Sequence, residues 1–249
     1  MADLDHLFVI GLGRSGTTAL ADVLSAHPRV AMGMERYKKL WTPARIGEFT
    51  PQLFTPEGFL DFSDGLTNVT PEQPRWEKYY QRAANNLERG RYLGDKETEV
   101  SVLPTVYQNF PEARFLIIVR DVHPLAWSWE QRAANPEDRG WPASRDALAS
   151  VGFWNEAMRT VLDLRRAAPE QALLVEYDSF FSSTQPLHSA LERLGLDVAE
   201  PVSVKFADVN RRYLSQIREK ERELPEDIRA RIEQERDGLV WDELMTELV

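Results

Sequence analysis

The sequence of 249 residues contains no cysteine. Disulfide bonds, thiolate nucleophiles and cysteine-based zinc sites are therefore excluded. Only four histidines are present, and none has the spacing of a metal-binding motif, so we expect no metal. No apolar run approaches the roughly 20 residues of a membrane-spanning helix, and the opening MADLDHLF lacks the pattern of a secretory signal. We therefore expect a cytoplasmic protein without a membrane span.

Positive charge is also scarce. The chain has 30 lysines and arginines against 40 aspartates and glutamates, which gives a net charge of −10. This balance argues against a nucleic-acid partner, and an anionic ligand can bind only where positive charge is concentrated locally. With 43% apolar residues, the chain can form a sizeable core, and its length favours one domain over residues 1–249.

Strands and helices are predicted to alternate along the chain. Five apolar segments indicate strands: Leu7–Gly11, Arg29–Gly33, Arg91–Asp95, Arg114–Val119 and Ala172–Tyr177. Segments with helical periodicity lie between and after them: Thr18–Ala26, Pro74–Glu88, Leu125–Ala133, Ala147–Arg166 and Leu187–Leu194. The alternation predicts an α/β fold with a P-loop-like, open, mostly parallel five-stranded sheet flanked by helices.

Two segments depart from this alternation. Residues 42–74 contain five prolines and are predicted to form an irregular insertion, which is either a lid or binding loop or a purely structural element. Residues 208–249 are rich in charges of both signs. They are predicted to form a charged helical segment, with solvated helices separated by Pro225.

A glycine-rich turn follows the first predicted strand, in the stretch FVIGLGRSGTTAL. Gly11, Gly13 and Gly16 match the G-x-G-x-x-G fingerprint of dinucleotide binding, but Gly11 and Gly16 also frame a phosphate-binding loop in which Thr17 replaces the lysine. In both interpretations, the first amides and the positive dipole end of the following helix attract an anion. Hydroxyl groups of the same turn can bind its oxygens as well, namely those of Ser15, Thr17 and Thr18.

Charged residues follow four of the predicted strands at their carboxyl ends, where ligands of open parallel sheets bind. Arg14 follows the first strand, Glu35 the second, Lys96 the third and Arg120 the fourth. Three cations and one carboxylate are therefore predicted to meet at one edge of the sheet.

Several function classes are compatible with these residues. Glu35 lies roughly twenty residues beyond the glycines, where a dinucleotide-binding protein has its ribose-binding acid, and this favours an NAD-dependent oxidoreductase. That interpretation leaves Lys96 and Arg120 unexplained. A nucleoside triphosphatase is disfavoured because the loop lacks its lysine. A non-catalytic nucleotide-binding module on the same fold is a further alternative.

Two motifs resemble those of the sulfotransferases that use 3′-phosphoadenosine 5′-phosphosulfate (PAPS). GRSGTT, at Gly13–Thr18, is similar to their 5′-phosphosulfate loop, commonly written R-S-G-T-T. FLIIVRDVHPLAWSW is similar to their second motif, in which an arginine after a buried strand and a serine eight positions later bind the 3′-phosphate. These positions are Arg120 and Ser128 here.

The likeness covers most of residues 7–196 and is nearest to the tyrosylprotein and carbohydrate branch of that family. In that branch, a glutamate shortly after an A-H-P-x-V segment is the proposed catalytic base, and Glu35 stands at that position. A lysine near the transferred sulfonate corresponds to Lys96 in the segment GDK. The basic glycine-containing motif near the C-terminus of the cytosolic branch has no counterpart, and Arg211 and Arg212 are candidates to replace it.

The resemblance implies transfer of a sulfuryl group from PAPS to an acceptor hydroxyl, with residues 42–74 on the acceptor side and no metal. Glu35 is expected to be the general base, and His27 is the next candidate for that role. Arg14 and Lys96 are expected to stabilise the negative charge that develops on the sulfonate and on the bridging oxygen. The residues expected to bind PAPS are Arg14, Ser15, Gly16, Thr17, Thr18, Arg120 and Ser128. A small molecule, a carbohydrate or a peptide can supply the hydroxyl; the sequence determines neither the acceptor nor the oligomeric state.

Overall fold

The structure, a computed structural model, describes residues 4–70, 72–138, 140–219 and 224–249. Its sheet consists of β1 (Asp5–Ile10), β2 (Val30–Met32), β3 (Tyr92–Gly94), β4 (Lys96–Glu97), β5 (Arg114–Val119) and β6 (Ala172–Glu176). The order is β2-β3-β1-β5-β6, with β4 paired to β1, and these pairings are parallel. The predicted α/β fold with an open parallel sheet is confirmed.

The third predicted strand, Arg91–Asp95, ends earlier in the structure, and the chain forms a second short strand beyond Asp95. β3 and β4 both run beside β1, and the Asp95 carboxylate accepts hydrogen bonds from the backbone N–H groups of Tyr37 (3.1 Å) and Lys96 (2.9 Å). The interruption therefore adds a sixth strand to the five predicted and fixes a buried carboxyl group between β3 and β4.

Helices flank the sheet on both sides. They are α1 (Thr17–Leu24), α2 (Pro56–Leu60), α3 (Glu77–Leu87), α4 (Leu103–Asn109), α5 (Val122–Ala133), α6 (Ala147–Ala167), α7 (Tyr177–Ser182), α8 (Gln185–Arg193), α9 (Glu200–Glu219), α10 (Glu226–Glu235) and α11 (Gly238–Thr246). The five helices predicted from periodicity correspond to α1, α3, α5, α6 and α8. Within the described ranges, no helix combines the length and the apolar character needed to cross a membrane.

Apolar side chains cover both faces of the sheet. In β1, Phe8 and Ile10 belong to the core on one face, whereas Leu7 and Val9 belong to the core on the other, and all four are fully buried. β5 alternates in the same way. This burial on two faces explains why both strands are nearly continuous apolar runs in the sequence.

The insertion and the C-terminal segment both contribute to the core. Residues 42–74 hold short 3₁₀ turns and α2, and the rings of Phe49 and Phe59 are fully buried. In the C-terminal segment, Ile232 and Leu244 are fully buried, and α10 and α11 pack against α6. The helices of this segment therefore carry buried apolar faces rather than being fully solvated.

Gly94 marks a close approach between β3 and β1, because a Cβ atom built on it would lie 1.6 Å from the carbonyl oxygen of Leu7. We expect Gly94→Ala to push the strands apart and to lower the free energy of unfolding by about 3 kcal/mol, measured by urea denaturation. The control is Gly152→Ala on α6, whose added Cβ would meet no described atom within 4 Å. This control should raise the free energy of unfolding by about 0.5–1 kcal/mol. Wild-type stability of Gly94→Ala would contradict the expected clash.

Candidate functional site

The glycine-rich turn leads directly into the N-terminus of α1. Gly16, the last residue before the helix, has φ = 85°, and a Cβ atom there would lie 2.8 Å from ring atoms of Tyr177 and Phe181. Arg14 also has a positive φ, of 81°. A non-glycine residue in this region costs about 1–3 kcal/mol, and such strain is concentrated at functional sites.

Side chains from the second motif hold this turn in place. The Arg120 guanidinium donates a hydrogen bond to the carbonyl oxygen of Arg14 at 2.7 Å, across 106 residues of sequence. The indole N–H of Trp129, on α5, donates to the carbonyl oxygen of Gly13 at 3.0 Å. Two motifs that are distant in sequence therefore meet at one place.

The side chains of both motifs also meet directly. Nε of Arg14 donates to the hydroxyl oxygen of Ser128 at 3.0 Å. Arg120 is largely buried, and its guanidinium carbon lies 4.0 Å from the ring centroid of Tyr177. The structure thus brings together Arg14, Arg120 and Ser128, which were predicted from separate patterns.

The site has a marked excess of positive charge. Burial, followed by the charges of Arg132 and Arg120, lowers the pKa of Arg14 from its ordinary value. Arg132 lies one turn beyond Ser128 on α5 and pairs with Asp138. It was not among the residues predicted from the sequence, although its spacing of four from Ser128 places both on one helix face. An anion bound between these guanidinium groups would relieve their repulsion.

The loop also contains an unsatisfied hydroxyl group. Ser15 is fully buried, and its Oγ has no hydrogen-bond partner among the described residues. Leaving a buried polar group unsatisfied costs about 1–3 kcal/mol, so a ligand oxygen in the loop would be stabilised here. Thr17 begins α1 and is buried, and Thr18 follows it in the first turn.

Glu35 lies between two lysines at the carboxyl end of β2. Its Oε1 accepts a hydrogen bond from Nζ of Lys96 at 2.5 Å, and its Oε2 accepts one from Nζ of Lys38. Burial alone would raise the pKa of Glu35, but the charges and hydrogen bonds of Lys96 and Lys38 outweigh it and lower the pKa. The Glu35 side chain remains 14% exposed, so a reactant can reach it.

Further buried carboxyl groups flank Lys96, whose side chain is itself only 1% exposed. Burial raises the pKa of Asp95 from its ordinary value, although backbone hydrogen bonds to its carboxylate oppose this rise. Burial, reinforced by repulsion from Asp95, raises the pKa of Glu97. Lys96 is therefore held in a low-dielectric setting where its charge acts strongly on its neighbours.

A cavity of about 290 Å³ opens beside the N-terminus of α1. Thr18 lines it from α1, Tyr177 from α7, and Arg212 and Tyr213 from α9. Of the two arginines considered as a C-terminal phosphate contact, Arg212 borders this cavity. Arg211 instead pairs with Asp208 on the surface of α9, at 3.4 Å.

His27, the alternative candidate for the general base, does not lie near Glu35. It precedes β2 and so lies at the opposite edge of the sheet. Its Nδ1 accepts the backbone N–H of Arg29 at 3.1 Å, and its Nε2 lies 3.3 Å from Asp197. In the part of the chain that the structure describes, no group of three or more histidine, aspartate or glutamate side chains is arranged to hold a metal ion.

These features define an α/β protein with a glycine-rich loop and clustered arginines at the carboxyl edge of a parallel sheet. The family model described as "Sulfotransferase family" matches residues 6–200, and the chain belongs to that family. The resemblance noted in the sequence is thereby confirmed at the level of the family, and the match supports it over the NAD-dependent alternative.

Relatives and solved structures agree with this assignment. Protein-tyrosine sulfotransferase 1 of Danio rerio is 25% identical over 185 residues, covering 71% of this chain and 48% of the relative. Protein-tyrosine sulfotransferase 2 of Gallus gallus is 24% identical over 215 residues, covering 80% of this chain and 53% of the relative. The chain thus spans about half the length of these curated relatives. The sulfotransferase domain of the Synechococcus PCC 7002 olefin synthase shares the fold, with a TM-score of 0.51 at 19% identity over 81% of this chain and 78% of that one.

Proposed function

We propose that the protein transfers a sulfuryl group from PAPS to an acceptor hydroxyl, with Glu35 as the general base. The observation that carries this proposal is the direct contact between the two motifs. Arg120 donates a hydrogen bond to the carbonyl oxygen of Arg14, and Arg14 donates one to the hydroxyl of Ser128. A glycine-rich anion loop and a distant arginine–serine pair on one site fit a nucleotide that carries anionic groups at both its 5′ and 3′ positions. Membership of the sulfotransferase family supports the same conclusion.

The residues present fit such a donor. The unsatisfied hydroxyl of Ser15 and the first amides of α1 would hold the 5′-phosphosulfate, together with the hydroxyls of Thr17 and Thr18. Arg120 and Ser128 would hold the 3′-phosphate. Arg132 lies on the same face of α5 as Ser128 and would add a third contact to that phosphate. The cavity bordered by Tyr177 and Arg212 would accept the adenosine.

The transfer itself needs one base and concentrated positive charge. The acceptor hydroxyl gives its proton to Glu35 as its oxygen forms a bond to sulfur. The bond between sulfur and the bridging oxygen breaks, and the electron pair leaves with the 5′-phosphate. Lys96 and Arg14 stabilise the negative charge that develops on the sulfonate and on that oxygen.

The lysines around Glu35 also tune its strength as a base. They lower the pKa of Glu35, which keeps it ionised but makes it a weak proton acceptor. An anionic donor competes with Glu35 for Lys96, and weakening that ion pair raises the pKa of Glu35. The base therefore becomes stronger when the donor is bound.

We propose a hydroxyl acceptor on a peptide or on a small molecule, carbohydrates included. Two exposed lysines, Lys38 and Lys39, lie three and four residues after Glu35, and their positive charge would favour an acceptor with a neighbouring anionic group. The curated relatives named as protein-tyrosine sulfotransferases make tyrosine in an acidic peptide a suitable first acceptor to test.

The donor site can be tested by calorimetry with adenosine 3′,5′-bisphosphate, adenosine 5′-monophosphate, NAD and ATP. Because hydrogen bonds to charged groups are worth about 1.5–3 kcal/mol, the 3′,5′-bisphosphate is expected to bind with at least about tenfold higher affinity than the monophosphate. Ser128→Ala should reduce this difference in affinity, whereas the exposed control Ser203→Ala should leave it unchanged.

Transfer is then measured with sulfur-labelled PAPS on panels of peptides, phenols, alcohols and sugars. Label appearing on an acceptor hydroxyl is the expected result. Tight binding of NAD with no binding of the bisphosphate would overturn the proposal in favour of an oxidoreductase. Binding of the bisphosphate without transfer to any acceptor would favour the non-catalytic module.

A further inference from the structure

The backbone around Glu35 has an unusual conformation. We call residues 34–37 the Glu35 turn. Glu35 has φ = 62°, which is rare for a residue with a side chain. Such a conformation persists only where its surroundings over-determine it. The groups that hold the turn are therefore part of the machinery that aims the Glu35 carboxylate.

One side of the turn is held by the sheet. The amide of Glu35 donates to the carbonyl oxygen of Lys96 at 2.9 Å. The amide of Tyr37 donates to the carboxylate of Asp95 at 3.1 Å. These bonds attach the turn to the strand that also carries Lys96.

The other side is held by the insertion through Arg36, which is completely buried. Its guanidinium forms two hydrogen bonds to the carboxylate of Asp64, at 2.7 and 3.1 Å. It also donates to the carbonyl oxygens of Phe59 at 2.8 Å and Asp61 at 2.6 Å. A buried charge must be paired, and the hydrogen-bond acceptors described for this one all come from the insertion.

A second set of bonds reaches the turn at Met34. The side-chain amide of Asn68 donates to the carbonyl oxygen of Met34. The hydroxyl of Tyr80 accepts the Met34 N–H at 3.4 Å and donates to Oδ1 of Asn68 at 3.0 Å. Residues on both sides of Glu35 are therefore fastened to residues 58–68 or to α3.

We propose that residues 58–68 of the insertion position the catalytic base, with Asp64 and Asn68 as the positioning residues that act through Arg36 and Met34. The sequence left two roles open for this insertion. The contacts favour a fixed support over a lid, because opening would break the hydrogen bonds of the Arg36 guanidinium to Phe59, Asp61 and Asp64. The proposal rests on the proposed function, since it assumes that Glu35 is the base.

The test compares Asp64→Asn and Asn68→Ala with Glu57→Gln, a control that removes an exposed carboxylate of the insertion just before residues 58–68. Misplacing a reacting group by about 1 Å can lower the rate by about 10²-fold, so we expect a fall in kcat approaching that size for both variants. The KM for PAPS and the affinity for adenosine 3′,5′-bisphosphate should be unchanged, because neither residue contacts the anion loop. Asp64→Glu should restore part of kcat by restoring the carboxylate.

Amide hydrogen exchange provides a readout that does not depend on sulfuryl transfer. In Asp64→Asn and Asn68→Ala, the amides of Glu35 and Tyr37 should exchange faster, while those of β1 keep wild-type rates. If the wild-type protein transfers no sulfuryl group, the proposed function fails, yet this exchange pattern still decides whether residues 58–68 hold the turn. Wild-type kcat and exchange in both variants would overturn the positioning role. Equal acceleration over the whole sheet, with loss of nucleotide affinity, would also overturn it in favour of general stabilisation.

Discussion

Glu35→Gln is expected to lower kcat by about 10²–10⁴-fold, the usual contribution of a general base. Glutamine has nearly the same shape as glutamate but cannot take a proton from the acceptor hydroxyl. It also removes the negative charge between Lys96 and Lys38, so an anionic donor should bind no more weakly than it does to the wild-type protein. Turnover is measured with labelled PAPS, and calorimetry with adenosine 3′,5′-bisphosphate shows whether the nucleotide site is intact.

The matched control is Glu48→Gln. Glu48 is an exposed carboxylate in the insertion, and its described ion pair is to Arg45 on the surface. Its removal should leave both kcat and nucleotide affinity at wild-type values. Turnover of Glu35→Gln close to that of Glu48→Gln, with nucleotide binding retained, would refute the role of Glu35 as base.

Lys96→Met is expected to lower kcat by about 10²–10³-fold, the cost of removing one preorganised group that stabilises charge in a transition state. Methionine fills a similar volume at this buried position but carries no charge. The substitution should also change the pH dependence. Lys96 lowers the pKa of Glu35, so its removal raises that pKa, and because the base must be ionised, the acidic limb of the kcat profile moves to higher pH.

Lys38→Met is the control for this prediction, because Lys38 pairs with the same carboxylate but has 62% of its side chain exposed. Exposed ion pairs contribute about 0–1 kcal/mol. Removing the Lys38 charge should therefore shift the acidic limb less than Lys96→Met does and leave kcat near neutral pH close to the wild-type value. The measurement is a kcat profile over acidic and neutral pH for the wild type and both variants. An unshifted limb in Lys96→Met, together with wild-type kcat, would show that Lys96 neither tunes Glu35 nor stabilises the transferred group.

Local patterns were sufficient for five strands of the sheet and for the positions of the glycine-rich loop and of Arg120 and Ser128. β1 and β5 are buried on both faces, and such strands appear in a sequence as apolar runs. Arg120 comes directly after β5 and Ser128 lies on the helix that follows, so their order along the chain determines where they stand at the sheet edge. The loop at Gly13–Thr18 is equally local, because its glycines and hydroxyls act within a single turn.

Other parts of the site depend on contacts between distant segments. The break between β3 and β4 is stabilised by hydrogen bonds from the Glu35 turn to Asp95, and 58 residues separate Asp95 from Tyr37. Arg132 was missed because a single arginine on a helix is usually a surface residue. It belongs to the site only because the loop around Arg14 folds against α5. The helices α4 and α7 are too short to show a clear period in the sequence.

The sequence by itself determined the α/β class, the glycine-rich loop after β1, the spacing of Arg120 and Ser128 and the position of Glu35 at a strand end, because each follows from spacing within one or two adjacent elements. Only the tertiary structure decided how Glu35 is held and what the insertion does. Arg36 is charged and was expected at no particular place, yet it is buried against Asp64, 28 residues further along the chain. A buried charge needs a partner, but no local pattern specifies which carboxylate of a distant, irregular segment will fold against it.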